Sequence, residues 1–356
     1  MNKILLLSFF LLFISNQKIT AQESKHILTG QIIDISSKKP IENTEVFISG
    51  TTIGTTTDKN GNFRLVSPYV PCRIVLMHVS YKLVVFDIKS AGSYDFKLAK
   101  RPLNLSEVRV TAKNMRRRNL RLFYKYFMWN TTKQDVKVLN DSVLRFVRSE
   151  NDFHAYCKSP LLLKNKYLGY NIKLLIQDFH VCIKQVKTGE KRGLNSRAGT
   201  GVFKLKGFYY YQEFDITNLQ KQKMITNNRC RHYYGSLRHF LKSLYQNKLT
   251  RNGYSTYKKP DTLRNPFLLT LTENNVKRYK FVSDRIDVVY SENENGKPIS
   301  LSNTTDSYYT FPSTLLSLGQ EFEVRSNGTS DQLLFELKGA MGQRAPANSL
   351  PEDYTP

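Results

Sequence analysis

The sequence predicts an all-β N-terminal sandwich followed by an α+β domain with a mainly antiparallel sheet. Three observations predict it. Short β-branched runs broken by turn formers fill the chain to about residue 100. An apolar period near two returns over residues 142–214, and apolar residues at helical spacing are concentrated in residues 114–129 and 236–247. With 356 residues, 40% of them apolar and 12% aromatic, the chain has material for two or three folded domains rather than a disordered tail.

Taken in order, residues 1–21 begin with Lys3, run apolar from Ile4 to Ile14, and close on Ile19-Thr20-Ala21. A basic start, an apolar core too short to span a bilayer comfortably and a small final residue predict a secretory signal peptide cleaved after Ala21. No cysteine follows that site to carry a lipid, and Asn16, Gln17 and Lys18 interrupt the stretch as an anchor. Later hydrophobic runs are all short, so no helical membrane span is expected.

Residues 30–35 read as a strand and Ser36, Ser37, Lys38, Lys39 and Pro40 as a turn. Val46 and Ile48 share one face of a second strand. Gly50 and Gly54 bracket a tight connection where positive φ is expected. After the strand-like Thr55–Thr57, Asp58-Lys59-Asn60-Gly61 predicts a hairpin turn, with Asp58 accepting backbone N–H groups and Gly61 left-handed. Phe63 and Leu65 resume the alternation.

The order Gly30, Asp34, Pro40, Val46, Gly50-Thr51, Gly54, Thr57-Asp58, Gly61, Phe63 resembles the carboxypeptidase regulatory-like domain, a small transthyretin-like β-sandwich. The likeness continues through strands at 74–79, 84–88 and 94–98, with Ser80-Tyr81 where the family has Gly-Tyr. Residues 105–112 resemble its exit strand. In Bacteroidetes-type bacteria this domain often precedes TonB-dependent outer-membrane transporters, so the resemblance implies a cell-envelope setting at the outer membrane or in the periplasm. It covers about a fifth of the chain. The expected organisation is signal peptide 1–21, sandwich 22–100, linker strand 101–113 and α+β domain 114–356.

Within the second domain, Leu120, Phe123, Tyr124 and Phe127 recur at helical spacing, and Arg117, Arg121 and Lys125 form a stripe on another face. The expectation is a helix packed on a sheet with a solvated basic face. Ile172, Leu174 and Ile176 share one strand face, then the apolar set jumps to Phe179, Val181 and Ile183, which predicts a bulge near Gln177-Asp178. Residues 184–200 form a Gly-, Lys- and Arg-rich hairpin loop, with Lys187, Lys191, Arg192 and Arg197 as candidate contacts. Ser236 is placed to cap a helix whose buried stripe is Leu237, Phe240, Leu241 and Leu244. Strands are expected at 279–282, 286–290, 322–324 and 333–337. Gly235–Leu241 and the ending Leu350–Pro356 resemble motifs of a group of exported Bacteroidetes proteins with no established activity; that ending is expected to be the natural C-terminus.

The chemistry-bearing residues form no recognisable catalytic set. His239 lies one turn from Ser236, but a capping hydroxyl is already engaged and no orienting acid is apparent. His154 with Cys157, His180 with Cys182 and Cys230 with His232 offer soft ligands, yet none has a zinc-motif spacing and no metal or cofactor is expected. A disulfide among Cys72, Cys157, Cys182 and Cys230 suits an oxidising envelope; three full pairings are open. No His is followed three residues later by Glu, so the peptidase chemistry associated with the sandwich's namesake does not carry over. Gly199-Thr200-Gly201 is not a nucleotide loop.

Cleavage after Ala21 would remove two lysines and no acids, leaving 52 basic and 29 acidic side chains and a formal charge of +23. Such a surface attracts anionic headgroups, acidic glycans or an acidic protein. Nucleic acid is not the expected partner of an exported chain. The expected function is therefore an exported non-catalytic cell-envelope binding or assembly module with a basic surface (Arg117, Arg121, Lys125, Lys187, Lys191, Arg192, Arg197) for acidic partners. The alternatives are an envelope hydrolase of glycan or peptide with the sandwich as accessory domain and, as a minor one, a small outer-membrane barrel.

Overall fold

The computed structural model describes residues 25–101, 113–128, 131, 135–182, 203–258, 261–262, 265–273, 275–293, 298, 309–330, 335–342 and 346–356. The expected signal peptide, exit strand and Lys187, Lys191, Arg192 and Arg197 lie outside these residues. The chain forms two compact units, Met1–Val46 with Thr55–Lys100, and Phe47–Gly54 with Arg101–Pro356.

The N-terminal β-sandwich contains β1 (His26–Asp34), β2 (Glu45–Ile48), β3 (Gly54–Thr56), β4 (Asn62–Ser67), β5 (Cys72–Met77), β6 (Val84–Ile88), β7 (Gly92–Ser93) and β8 (Phe96–Leu98). One sheet runs β4-β1-β7 with β8 also on β1; the other runs β3-β2-β5-β6. Alternation fills the space between them: Leu28, Ile32, Val46, Phe63, Leu65, Ile74, Leu76, Ile88, Phe96 and Leu98 are all buried. The 58–61 turn forms as its residues dictate. One Asp58 carboxylate oxygen accepts from Asn60 N (2.9 Å) and Asn62 N (2.8 Å), and Gly61 has φ +72°. Gly50 is left-handed at φ +84°, but Gly54 is not. Gly54 is needed for space, because a Cβ there would lie 2.6 Å from the Tyr210 hydroxyl.

The second unit begins with α1 (Lys113–Phe127), followed by β9 (Val136–Val138), β10 (Leu144–Arg148), β11 (Asp152–Cys157), β12 (Leu161–Asn165), β13 (Tyr170–Cys182) and β14 (Phe203–Glu213). These strands form an antiparallel sheet, β10-β11-β13-β12-β9, with β14 along β13. The expected bulge is present: the β13–β14 register shifts between Ile176 and Asp178. By skipping Gln177 it returns Phe179 and Val181 to the inward face, where both are fully buried.

Helices α2 (Leu219–Tyr233) and α3 (Leu237–Tyr245) follow. Ser236 caps α3, its hydroxyl accepting from His239 N at 3.2 Å, and Asn218 caps α2, accepting from Lys221 N at 2.9 Å. The remaining strands are β15 (Tyr254–Lys258), β16 (Asp261–Thr262), β17 (Phe267–Glu273), β18 (Val276–Phe281), β19 (Arg285–Glu292), β20 (Tyr309–Ser317), β21 (Phe322–Arg325) and β22 (Phe335–Gly339). They build two sheets, β16-β15-β19-β20-β22 and β17-β18-β21. Phe240, Leu241 and Leu244 of α3 bury with Tyr254, Tyr279, Tyr290, Phe322 and Phe335 in this region's core.

Among the described residues the sheets are open, each with edge strands, and α1 and α3 share buried cores with strands, so these residues form no closed barrel. No helix among the described residues is long and apolar enough to cross a membrane.

Candidate functional site

Helix α1 puts its sequence pattern to two uses. Phe123 and Phe127 are fully buried, stacked 4.7 Å apart, and Phe123 meets Phe179 of β13 edge-on at 5.1 Å. Arg116 turns toward the protein, donating to the carbonyls of Asp141 (2.8 Å) and Leu144 (3.1 Å) and lying over the Phe146 ring. Arg117, Arg121 and Lys125 are exposed on the other side, with Arg118 beside them. None of these four pairs with a carboxylate among the described residues. Arg117, Arg121 and Lys125 thus lie in an exposed row on a helix whose apolar face is already occupied.

Lys204 and Lys206, at the end of the basic stretch, are exposed on β14. Opposite them on β13 stand His180 and Asp178, and His180 is in register with His154 of β11. This exposes a pattern that the sequence reading missed. The tripeptide Asp-Phe-His occurs twice, at 152–154 and 178–180. On neighbouring antiparallel strands both phenylalanines fall inward, fully buried, and both Asp-His pairs fall outward. The bonds cross between strands: His154 Nδ1 to Asp178 at 2.8 Å and His180 Nε2 to Asp152 at 2.6 Å, with the rings stacked at 4.5 Å and 16°.

Stacked rings aim their in-plane lone pairs in parallel, not at one point, so this pair does not chelate a shared ion as it stands. Among the described residues no group of three His, Cys, Asp or Glu is placed to hold a metal. Cys157 is buried on the inward face, where its sulfur receives Ile176 N at 3.1 Å, while its sequence neighbour His154 points outward. Cys230 and His232, two residues apart on α2, project in different directions. All four cysteines are free thiols, so the expected disulfide does not form. Cys157 and Cys182 are on opposite faces of one sheet, and burial pushes the Cys72 thiol up to about 11.

His239 is buried 2.9 Å from the Tyr254 hydroxyl, with Gly235 N donating to its Nδ1 at 3.3 Å. The rings of Tyr233, Tyr234, Tyr254 and Tyr290 pack around it. Burial, helped by the Lys242 charge, lowers its pKa to about 4. It is a neutral core imidazole, and Ser236 is spent on the cap.

The two motifs carrying the second resemblance join in space. From α3, Arg238 donates to the backbone carbonyls of Pro351 (2.5 Å), Glu352, Tyr354 (2.6 Å) and Asn327 (3.2 Å). Tyr354 packs on Tyr233 and its hydroxyl lies 3.5 Å from Cys230 Sγ. Within the same unit, Glu352 N donates to Gly50 O at 2.7 Å, and the Asp353 carboxylate accepts from Thr52 N and its hydroxyl. The Gly-Ser-Leu-Arg-His-Phe-Leu and Leu-Pro-Glu-Asp-Tyr-Thr-Pro motifs are thus two halves of a clamp that fastens the tail.

Residues 28–110 match the CarboxypepD_reg-like domain family, the family that the N-terminal motifs resemble. The match extends past the last described sandwich strand to Val110. No curated protein matches the chain. Among solved structures, a chain of a type II cohesin–X-dockerin complex from Acetivibrio cellulolyticus is 24% identical over 21% of this chain and 51% of its own, with TM-score 0.17. This chain therefore spans about half the length of that relative. A DUF3823 family protein from Bacteroides ovatus is 11% identical over 54% of this chain and 82% of its own, with TM-score 0.18. A candidate carbohydrate binding protein from Bacteroides uniformis is 9% identical over 80% and 97%, with TM-score 0.18.

Proposed function

We propose that the protein is an exported, non-catalytic module of the cell envelope, resident in the periplasm or at the outer membrane, that binds an acidic partner through its basic surface. One observation carries most of this reading: the cations of α1 are exposed and unpaired with carboxylates among the described residues, while the opposite face of the helix is sealed in the core. The i, i+4, i+8 spacing from Arg117 through Arg121 to Lys125 extends the row over about 12 Å. A matching partner presents carboxylates or phosphates along a similar line. Lys204 and Lys206 are a separate pair of exposed cations, beside His180 and Asp178 on the face of the sheet that α1 does not cover.

The test is isolation of the tagged mature protein from gently solubilised native envelopes, with mass spectrometry of what accompanies it and a repeat wash at high salt. A stoichiometric acidic protein or glycolipid that leaves at high salt is expected. A protein that comes off alone, at low salt and without loss of fold, would overturn the reading.

A further inference from the structure

The Asp-Phe-His repeat places four metal-type donors at the corners of one rectangle. His154 of β11 faces His180 of β13, and Asp152 faces Cys182. Alternation puts residues two apart on the same face, so all four stand on the outward side of the sheet, about 5 Å apart across the strands and about 6.7 Å apart along each. Two imidazole nitrogens, a thiol sulfur and a carboxylate oxygen are donors that Zn²⁺ takes, and four of them complete its tetrahedron. All four side chains belong to partly exposed residues, so an ion has a way in.

We propose that His154, His180, Cys182 and Asp152 form a zinc site that clips β11 to β13. The hydrogen bonds present are those of its metal-free form. His180 donates its Nε2–H to Asp152 at 2.6 Å, so two of the donors are spent on each other. An ion entering between them takes both, as His180 shifts its proton to Nδ1 and the Cys182 thiol releases its own to solvent. His154 is already oriented: Asp178 holds its Nδ1 at 2.8 Å, which leaves Nε2 to the ion on the side of the ring away from Asp178. Asp152 and Cys182 lie on that side, because Asp178 and Cys182 flank His180 in opposite directions along β13. A carboxylate on the far nitrogen is what fixes the tautomer and aim of a metal-bound histidine. With the rings stacked at 4.5 Å the donors do not yet converge. Loading requires the two rings to part by side-chain rotation, on strands whose inward faces stay packed through Phe153, Phe179 and Val181. That rearrangement and the neighbouring Lys204 and Lys206 weaken the site relative to a preformed one, so Kd is expected on the order of 0.1–10 μM.

Zn²⁺ titration of the reduced mature chain against a competing chromophoric chelator tests the proposal. One Zn²⁺ per chain is expected, and at a hundredfold excess over Kd the melting temperature should rise by roughly 5–10 °C. Mg²⁺, which seeks oxygen ligands, should give no response. Asp178→Asn, acting through His154, should weaken zinc binding by about 10–100-fold. His154→Ala and Cys182→Ser, at partly exposed positions, are expected to keep the native circular dichroism and to lose more affinity than that. Co²⁺ serves as a spectroscopic probe: its thiolate-to-metal absorption should be present in wild type and absent from Cys182→Ser. A wild-type chain that takes up no Zn²⁺ at micromolar concentration overturns the proposal. So does an affinity left unchanged by His154→Ala, Cys182→Ser or Asp178→Asn, which would mark an adventitious ion held by the other three thiols.

Discussion

Replacing Arg238 with alanine should loosen the tail of the chain before it disturbs the cores. The guanidinium makes four hydrogen bonds to backbone carbonyls, three of them in the 351–354 segment. Hydrogen bonds to a charged group contribute about 1.5–3 kcal/mol each, but these share one side chain and water replaces part of the loss, so about 3–4 kcal/mol for the set is the reasonable figure. For a unit of this size that corresponds to a fall in Tm of roughly 6–16 °C. Lysine should recover only part of it, since an ammonium cannot reproduce the planar fork that reaches three carbonyls together. Thermal unfolding by circular dichroism measures the first effect. Timed carboxypeptidase digestion, read by intact mass, measures tail release. If Arg238→Ala melts within about 1 °C of wild type and its tail is digested no faster, the clamp contributes nothing and the reasoning fails.

Three further outcomes follow from the same structure. Gly54→Ala sets a Cβ 2.6–2.7 Å from the Tyr210 ring and hydroxyl, displacing a ring stacked on Phe47 at 4.8 Å; about 1–3 kcal/mol of destabilisation in urea titration is expected, with no change in overall charge or binding. His239 is neutral in the fold at pH values where an unfolded imidazole is protonated, so its contribution is full above about 6.5 and falls as pH drops toward about 4, by up to about 1.4 kcal/mol per pH unit; His239→Gln should flatten that part of a stability–pH curve. Asp34 is held down to about 2 by Ser37 N–H, with the Tyr81 hydroxyl and Ser36 N–H adding to it against the upward push of burial. Its stabilisation is present above the ordinary carboxylate range and lost as pH falls through about 2, and Asp34→Asn should remove that acid limb of the sandwich's unfolding curve.

Much of the sandwich, and part of the second unit's first sheet, was legible where the signals are local. The Asp58–Gly61 turn, the alternation of Phe63 and Leu65, and the slip that marks the β13 bulge each depend on a few neighbouring residues. Helix α2 was not legible: of Leu219–Tyr233 only Ile225 and Tyr233 are buried, so no apolar stripe announces it, and Asn218 before Leu219 was its one start signal. Strand β20 was hidden by Pro312, which sits inside a strand flanked on both sides, opposite Val289 of β19. The Arg238 clamp joins residues more than 110 positions apart, and nothing in either motif names its partner. At the site, helical spacing placed Arg117, Arg121 and Lys125 on one exposed row, whereas pairing Cys with His by proximity in sequence missed the Asp-Phe-His repeat. Strand alternation sends His154 and Cys157 to opposite faces, and only the register of β11 against β13 brings His154 to His180.

The central claim is that the α1 cations hold an acidic envelope partner, and the most direct measurement is capture from native envelopes by wild type and by Arg117→Glu/Arg121→Glu/Lys125→Glu side by side. These exposed substitutions should each cost within about 0.5 kcal/mol of stability, which a parallel melting curve verifies. Loss of the captured partner from the reversed variant, with wild type releasing it at high salt, is the result the account predicts. Equal capture by the two proteins would contradict it.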